Sequence, residues 1–598
     1  MKIVRTRCVV GCLVAAAVVA SSAAPAAPQA PVTPADGAVR GDRAEGWLNQ
    51  SRSPVLARNG MVVTSQPLAA QAGLRILMQG GNAVDAAVAT AATLNVTEPM
   101  NVGIGGDVFA IIYIAKEHRF YALNASGEAP SGATIAHLNA LGYRYDPKNW
   151  GPGSGMPSGG ILEVTVPGSV WGWDEALRRF GTMKFDRVLA PAIDYAQNGF
   201  PVSERIAHDW HLPNALPLQG CCTQLDPDSV RTWYIDGVPP KTGQIFRNPD
   251  LARSFRLLQK YGRDVFYRGE IARAIVAKSR ALGGTMTLQD LASYRGEWVA
   301  PVDTIYHGWH LLELPPPSQG FAANEALNIL AQCVPKIVPG QTLASLGPAD
   351  PEYWHLLVEA KKLVYADLYR FNADPDVVPV PIARLLSDEH AASLCSKIDP
   401  NHAGKIAPPG SQAGAGDTIV LSTADRWGNM VSWVNSNYDG FGSGITVPGY
   451  GFILHNRGGL FTLDPGSPNA IAPHKRPFNT LSAGFIERGG RPLMTLGLMG
   501  GAMQAQGHEQ IAVDIIDLGA NVQQAGDMAR FRQDEISSTL YLESPLYDLV
   551  GDRLRAMGHS VRSTNRAPMG GYQAIMLLPN GAYAGGSDFG KDGEAAGW

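Results

Sequence analysis

Apolar residues recur at helical spacing in "AAQAGLRILMQ", which predicts a helix stopped by Gly80 and Gly81. Asn82 stands where it can cap a second helix, "AVDAAVATAATLNV", whose small side chains predict close packing on several sides. "GIGGDVFAIIYI" runs from a glycine loop into a stretch too apolar for a solvent face, and so predicts a buried strand. The middle of the chain returns to the helical period in "VWGWDEALRRFG", "FDRVLAPAIDYAQNGF", "PDLARSFRLLQKYGRDVFY", "GEIARAIVAKSRALGG" and "EYWHLLVEAKKLVYADLYRF". "GWHLLELPPPSQGFAANEALNIL" reads as a strand, a rigid proline loop and a helix. A Pro/Gly/Ala stretch then fills the interval from Ser396 to Gly416. Beyond it strands alternate with loops, interrupted by the helices "GHEQIAVDIIDLG" and "LYDLVGDRLRAMG" and closed by hairpin-like strands in "YQAIMLLPNGAYAGGSD". Strands with helices grouped around them predict an α/β layered domain with a helical half wrapped on it.

Composition narrows the class. With 598 residues, 45% hydrophobic and 17% charged, the chain has a globular profile, and a net charge of −4 gives no footprint for nucleic acid. "MKIVRTR" followed by "CVVGCLVAAAVVA" and "SSAAPAAP" reads as a signal peptide over residues 1–27, too short to span a membrane. That predicts a secreted or periplasmic protein; lipidation at Cys12 is the alternative. Residues 28–55 read as a disordered Pro/Ala-rich lead-in. Cys221, Cys222, Cys333 and Cys395 have no zinc spacing, which leaves buried thiols or one structural bridge. His208 and His211 in "HDWH" lack an acidic partner at metal spacing and are expected on the surface or in packing. "GIGG" precedes a strand instead of following one, which excludes a dinucleotide loop.

No G-x-S-x-G elbow, H-E-x-x-H or Walker loop occurs. The remaining nucleophile is a threonine made terminal by self-cleavage, because an N-terminal threonine carries its own base in an α-amine that titrates near pH ~8. Such a residue needs an accessible segment before it, a rigid strand after it, and backbone donors for an oxyanion. "APPGSQAGAGD" followed by "TIVLS" meets the first two requirements at Asp417–Thr418, and "PLMTLGLMGGAM" offers Gly500 and Gly501 for the third.

The chain resembles the γ-glutamyltransferase (γ-glutamyltranspeptidase) family of N-terminal-nucleophile hydrolases from about Gly60 to Ser587. The blocks that carry the resemblance include "GGNAVDAAVA", "GIGGDVF", "VPGSVWGW", "PPPSQG", "HLLVEAKKLVYAD", "GDTIVLSTADRWGNMVS", "APHKRPFNTLSAGF" and "GLMGGAMQAQGH". It implies a four-layer αββα fold with a helical portion in the large subunit. It also implies cleavage into a large subunit, 56–417, and a small catalytic subunit, 418–598, which stay associated. Thr418 would be the nucleophile in processing and then on substrate, Ser436 would orient it, and Gly500 and Gly501 would form the oxyanion hole. The family's chemistry uses neither metal nor organic cofactor.

Two positions depart from the family. Where transpeptidases carry an Arg for the γ-glutamyl carboxylate, "ALNASGEAP" has Ser126, with Glu128 nearby; where they carry an acid for the α-ammonium, "LHNRGGLF" has Leu460. Losing both partners removes several kcal/mol of recognition, at ~1.5–3 kcal/mol per charge-assisted hydrogen bond. Asn479 and Thr480 replace a serine pair that touches the substrate carboxylate. Arg457 is open to two readings, a new carboxylate receptor or a partner for a structural acid. The substrate-binding set is Arg457, Asn479, Thr480, Ser126 and Tyr438. "FTLDPGSPNAIAPHKRP" is shorter than a lid-bearing segment and predicts an open cleft, while Asp85 is expected to brace the glycine loops and Glu128 to be solvated or paired. The expected function is an autoprocessed amidase or acyltransferase acting on a small-molecule or peptide amide. The alternatives are an authentic γ-glutamyl transpeptidase (glutathione hydrolase) and an unprocessed binding protein.

Overall fold

Alternation along the strands builds the layers. In the strand Asp417–Ala424, Ile419 and Leu421 enter one apolar core while Val420 and Ala424 enter another. Its hairpin partner Met430–Tyr438 divides the same way, with Val431 and Trp433 on one face and Met430 and Val434 on the other. Both strands lie in a seven-stranded sheet in the order Glu594–Gly597, Met61–Thr64, Asp417–Ala424, Met430–Tyr438, Asp107–Ile114, Arg119–Ala125, Glu297–Val299. A second sheet runs Val55–Ala57, Tyr583–Ser587, Gly571–Leu577, Arg491–Leu496, Gly484–Arg488, Trp309–Glu313, Val302–Tyr306. Phe109, Ile111, Val420 and Val434 of the first sheet meet Leu312, Phe485 and Ile575 of the second in one core. The outer faces are covered by helices: 67–78, 83–97, 169–180 and 190–198 on one side, 321–337, 351–371 and 503–516 on the other. The result is the four-layer αββα arrangement expected from the sequence.

This computed structural model describes residues 50–217, 223–405 and 417–598. The expected signal peptide, most of the lead-in, Cys221 and Cys222, and residues 406–416 of the Pro/Gly/Ala stretch before Thr418 lie outside the described residues. The chain is already anchored at Ser51, whose amide and hydroxyl both donate to Asp527 at 2.7 Å. No helix among the described residues is long and apolar enough to cross a membrane.

The helix Ala83–Thr97 is buried along its whole length, and Asn82 and Asp85 form a capping box at its start. Its small residues admit a close neighbour: a Cβ on Gly73 of the adjacent helix would lie 2.1 Å from Thr90 Oγ1. Cys333 and Cys395 form a disulfide between the helices Phe321–Ile337 and Asp388–Cys395. His208 sits on the short helix Glu204–Asp209 and is exposed, as expected, with Nδ1 2.8 Å from Asp209. Both sheets draw strands from either side of the Asp417–Thr418 bond. In the first, Met61–Thr64 lies between Glu594–Gly597 and Asp417–Ala424.

Candidate active site

Thr418 is the second residue of its strand and falls on the face turned towards the other sheet. On that face Ser422 donates to the Gln573 carbonyl at 3.3 Å, and Ser432 to the Leu496 carbonyl at 2.9 Å. Ser436 occupies the same face of the partner strand, and Thr418 Oγ1 donates to Ser436 Oγ across 3.1 Å. Thr418 is 2% exposed and Ser436 fully buried. The ladder slips at this point. Ile419 pairs with Asn435 but Asp417 pairs with Tyr438, so two residues, Ser436 and Asn437, stand opposite Thr418. Such a bulge re-aims side chains without ending the strand. It is fixed by Tyr438, which adopts φ 79° and donates its amide to Ser436 Oγ at 2.7 Å. Behind Ser436 lies the "GIGG" loop, where a Cβ on Gly106 would lie 2.3 Å from the Ser436 carbonyl oxygen.

Gly500 and Gly501 follow the strand Leu498–Met499 and precede the helix Met503–Ile516. Their φ values of 119° and 59° lie in the left-handed region that favours glycine. Gln319, which follows the cis Pro316–Pro317 bond and Ser318, holds this turn by donating to the carbonyls of Thr480 at 2.6 Å and Gly501 at 2.8 Å. The same edge presses on the Thr418 strand: a Cβ on Gly497 would lie 2.2 Å from Val420 Cγ1.

The expected substrate-binding residues form one continuous network. Asn479 Nδ2 donates to Ser126 Oγ at 3.0 Å, and Arg457 Nη1 donates to Thr480 Oγ1 at 2.9 Å. The Arg457 guanidinium stacks over the Tyr438 ring at 4.7 Å. Its Nε lies 3.5 Å from Asp107 Oδ2, so the reading in which Arg457 pairs with a structural acid is met. Nε and Nη2 nevertheless make no hydrogen bond. Burial lowers the Arg457 pKa, and Asp107, Tyr438 and Asp439 act against that.

Asp107 joins this network and was not singled out by the sequence reading. Fully buried, it accepts from the Gly127 amide at 2.9 Å and faces both Arg457 and His455, whose Nδ1 is 3.4 Å away. The signal was present: an acid opens a wholly apolar strand, with no cation nearby in sequence to neutralise it.

Other expectations are met or corrected. Asp85 braces the backbone, accepting from the amides of Asn82, Thr182 and Met183. Glu128 lies 3.6 Å from Arg476. Thr418, Ser436, Ser126, Arg457, Asn479 and Thr480 are all buried. A glycine-rich loop is tied to the segment beyond Arg457, through Gly153 N to the Phe461 carbonyl at 2.7 Å and Leu463 N to the Ser154 carbonyl at 2.8 Å.

Among the described residues, two side-chain groups have the composition of a metal site. In one, His355 and His559 bond each other at 2.8 Å while Glu359 is held by Lys362 at 2.6 Å and the Gly404 amide at 3.0 Å. In the other, His390 bridges Asp367 and Glu325. Both belong to the helical layer outside the second sheet, apart from the Thr418 network.

The family model for gamma-glutamyltranspeptidase matches residues 69–598. A glutathione hydrolase-like proenzyme of Bacillus subtilis is 34% identical over 551 residues, covering 91% of this chain and 99% of the relative. An oxamate amidohydrolase proenzyme of Klebsiella pneumoniae is 34% identical over 554 residues, with 91% and 99% covered. Among solved structures, the cephalosporin acylase of Bacillus halodurans superposes with a TM-score of 0.81 at 36% identity, covering 93% of this chain and 99% of that one. The chain therefore belongs to the gamma-glutamyltranspeptidase family, among its amide-bond hydrolases and acyltransferases.

Proposed function

We propose that this protein is an autoprocessed amidase or acyltransferase in which Thr418 is the nucleophile and the acyl donor carries a free carboxylate without a required α-amine. The observation that carries this reading is the buried 3.1 Å hydrogen bond from Thr418 Oγ1 to Ser436 Oγ at the inter-sheet end of the strand. In processing, Thr418 Oγ attacks the Asp417 carbonyl carbon, and the peptide nitrogen leaves as the Thr418 α-amine. Water then hydrolyses the resulting ester, dividing the chain into subunits 56–417 and 418–598 that stay associated. On substrate, Thr418 Oγ attacks the amide carbonyl and its proton passes through the α-amine to the leaving nitrogen. Water or an amine then cleaves the acyl ester and returns a proton to Thr418 Oγ. Ser436 fixes the direction of the attacking oxygen. The amides of Gly500 and Gly501 stabilise the oxyanion, a contribution of about 2.7–4 kcal/mol per donor in comparable sites.

On the acyl side, Arg457 supplies the positive charge that Ser126 cannot, and Leu460 leaves no acid for an α-ammonium. Asp107 makes its burial tolerable, and Nη2, without a hydrogen bond of its own, is the donor for a carboxylate. Asn479, Thr480 and Tyr438 hold the guanidinium and the adjoining wall. The relative that acts on oxamate, a carboxylate with no α-amine, fits this donor class.

The purified protein should run as two fragments, the smaller beginning at Thr418, and Thr418→Ala should stay whole and inactive. A wild-type chain that remains intact overturns the reading. Donor choice is read from matched anilides: glutaryl release should exceed γ-glutamyl release, and the reverse order favours authentic γ-glutamyl transfer.

A further inference from the structure

The helical layer outside the second sheet holds a carboxylate that lacks a hydrogen-bond donor. Glu325 lies in the apolar part of the helix Phe321–Ile337, where Phe321, Ala322, Ala326 and Ile329 all enter the core. Its side chain is fully buried, and neither Oε1 nor Oε2 makes a hydrogen bond. Such a group is costly, because the hydration it gives up is not replaced. Two side chains from two other helices converge on it. Asp367 comes from Pro351–Phe371 and His390 from Asp388–Cys395, and the three ligand atoms lie within 4.8 Å of one another. His390 Nε2 is 2.7 Å from Asp367 Oδ2 and 3.3 Å from Glu325 Oε1.

One imidazole nitrogen cannot satisfy both acids. Nε2 carries at most one hydrogen, and at 2.7 Å that hydrogen goes to Asp367. Among the described residues no lysine or arginine pairs with either carboxylate. Burial raises the Glu325 pKa to about 8, with His390 lowering it and Asp367 raising it further. The other group of similar composition differs on this point, since Glu359 already has Lys362 and the Gly404 amide. A divalent cation does what the imidazole cannot, because it bonds two oxygens and a nitrogen at once. Ligands about 2.1 Å from a zinc ion stand about 3.4 Å apart in a tetrahedron. The separation of His390 from Glu325 already has that span, and that of His390 from Asp367 has to open by about 0.7 Å. The His390 and Asp367 side chains are 15% and 17% exposed, which supplies an entry path.

We infer that Glu325, Asp367 and His390 form a site for one divalent cation of the zinc class, which ties three helices together. One imidazole with two carboxylates suits zinc or manganese, and water completes the coordination on the exposed side. The site lies apart from the Thr418 network, so the cation takes no part in acyl transfer. It pins the helix Asp388–Cys395, whose end the Cys333–Cys395 disulfide fastens to the helix that carries Glu325. The inference is independent of the proposed Thr418 chemistry.

The test is read without turnover, on the full chain stripped of metal with EDTA and dialysed. Zinc chloride titrated in a calorimeter should bind saturably, and Glu325→Gln and His390→Ala should each weaken that binding by about 10-fold or more. Zinc at about 100 times its Kd should raise the thermal midpoint of the wild type by about 2 °C, a shift that Glu325→Gln lacks. Should Glu325→Gln fail to fold, Asp367→Asn, at the partly exposed ligand, makes the same comparison. A role confined to packing would change the midpoint of the stripped variants but leave their response to zinc as it was. Zinc bound equally by the wild type and the variants is adventitious, held at exposed pairs such as His208 with Asp209, and overturns the inference. The absence of saturable binding overturns it as well.

Discussion

Replacing Ser436 with alanine tests the geometry on which the processing step depends. The Ser436 hydroxyl receives two donors, Thr418 Oγ1 at 3.1 Å and the Tyr438 amide at 2.7 Å. The substitution removes a single buried oxygen, so the steric change is small and the effect is one of hydrogen bonding. Leaving a buried N–H without its acceptor costs about 1–3 kcal/mol of stability. For the reaction, the loss is the group that holds Thr418 Oγ in line with the Asp417 carbonyl. A barrier increase of about 1.4–3 kcal/mol corresponds to roughly 10- to 150-fold slower cleavage. The assay is a densitometric time course of precursor and fragments after rapid purification. The stability cost is measured separately by urea unfolding in a Thr418→Ala background, where no processing intervenes. Ser436→Thr, which keeps an oxygen at the same carbon, should recover most of the rate. If Ser436→Ala cuts at the wild-type rate, the contact is incidental and the assignment of Ser436 as the orienting residue is wrong.

Exchanging Cys333 and Cys395 together for serine opens a loop of 62 residues and should remove about 4 kcal/mol on the chain-entropy model. A reductant should reproduce the fall in urea midpoint for the wild type only, and an unchanged midpoint in the double variant refutes the pairing. Burial alone would raise the Asp588 carboxyl, but Arg566 and Arg530 hold it down at about 2. A depressed folded value stabilises above the ordinary carboxyl pKa, so about 2 kcal/mol should be lost as pH falls from about 4 to about 2. Unfolding curves across that interval should flatten in Asp588→Asn. Arg457→Gln should lower kcat/KM for a glutaryl anilide by roughly 10- to 150-fold relative to an uncharged acyl anilide, the equivalent of one charge-assisted hydrogen bond at about 1.5–3 kcal/mol. An unchanged ratio would leave Arg457 a purely structural partner of Asp107.

The parts legible in the sequence were those written in local periodicity. The Ala-rich helix and its Asn82 cap, the apolar strand after "GIGG", and the hairpin that carries Thr418 and Ser436 all follow from neighbours a few residues apart. The two glycines before the helix Met503–Ile516 were legible for the same reason. What was not legible depends on contacts between distant segments. Arg457 meets Asp107 because their loops end beside the same strand, and nothing local to either residue announces that pairing. The buried state of the site has no local signal, because the stretch around Gly153 has no periodicity and so predicts no element. It nonetheless binds the segment around Phe461 through its backbone. A bulge is equally silent in sequence: regular alternation leads to Thr418, but the slip to Asp417–Tyr438 is visible only in the ladder.

The placement of Met61–Thr64 between Glu594–Gly597 and Asp417–Ala424 has a consequence for any chain divided before Thr418. The two pieces would not be domains that touch but halves of the same sheets, with strands of one supplying ladder partners to strands of the other in both sheets. No plane separates them. Pulling the pieces apart would strip backbone hydrogen bonds from both sheets and open the core between them, so separation and unfolding become one event. Dilution should therefore not dissociate such a heterodimer. One peptide bond can be given up without loosening the molecule, and the freed amine at Thr418 would stay where the uncut fold had put it.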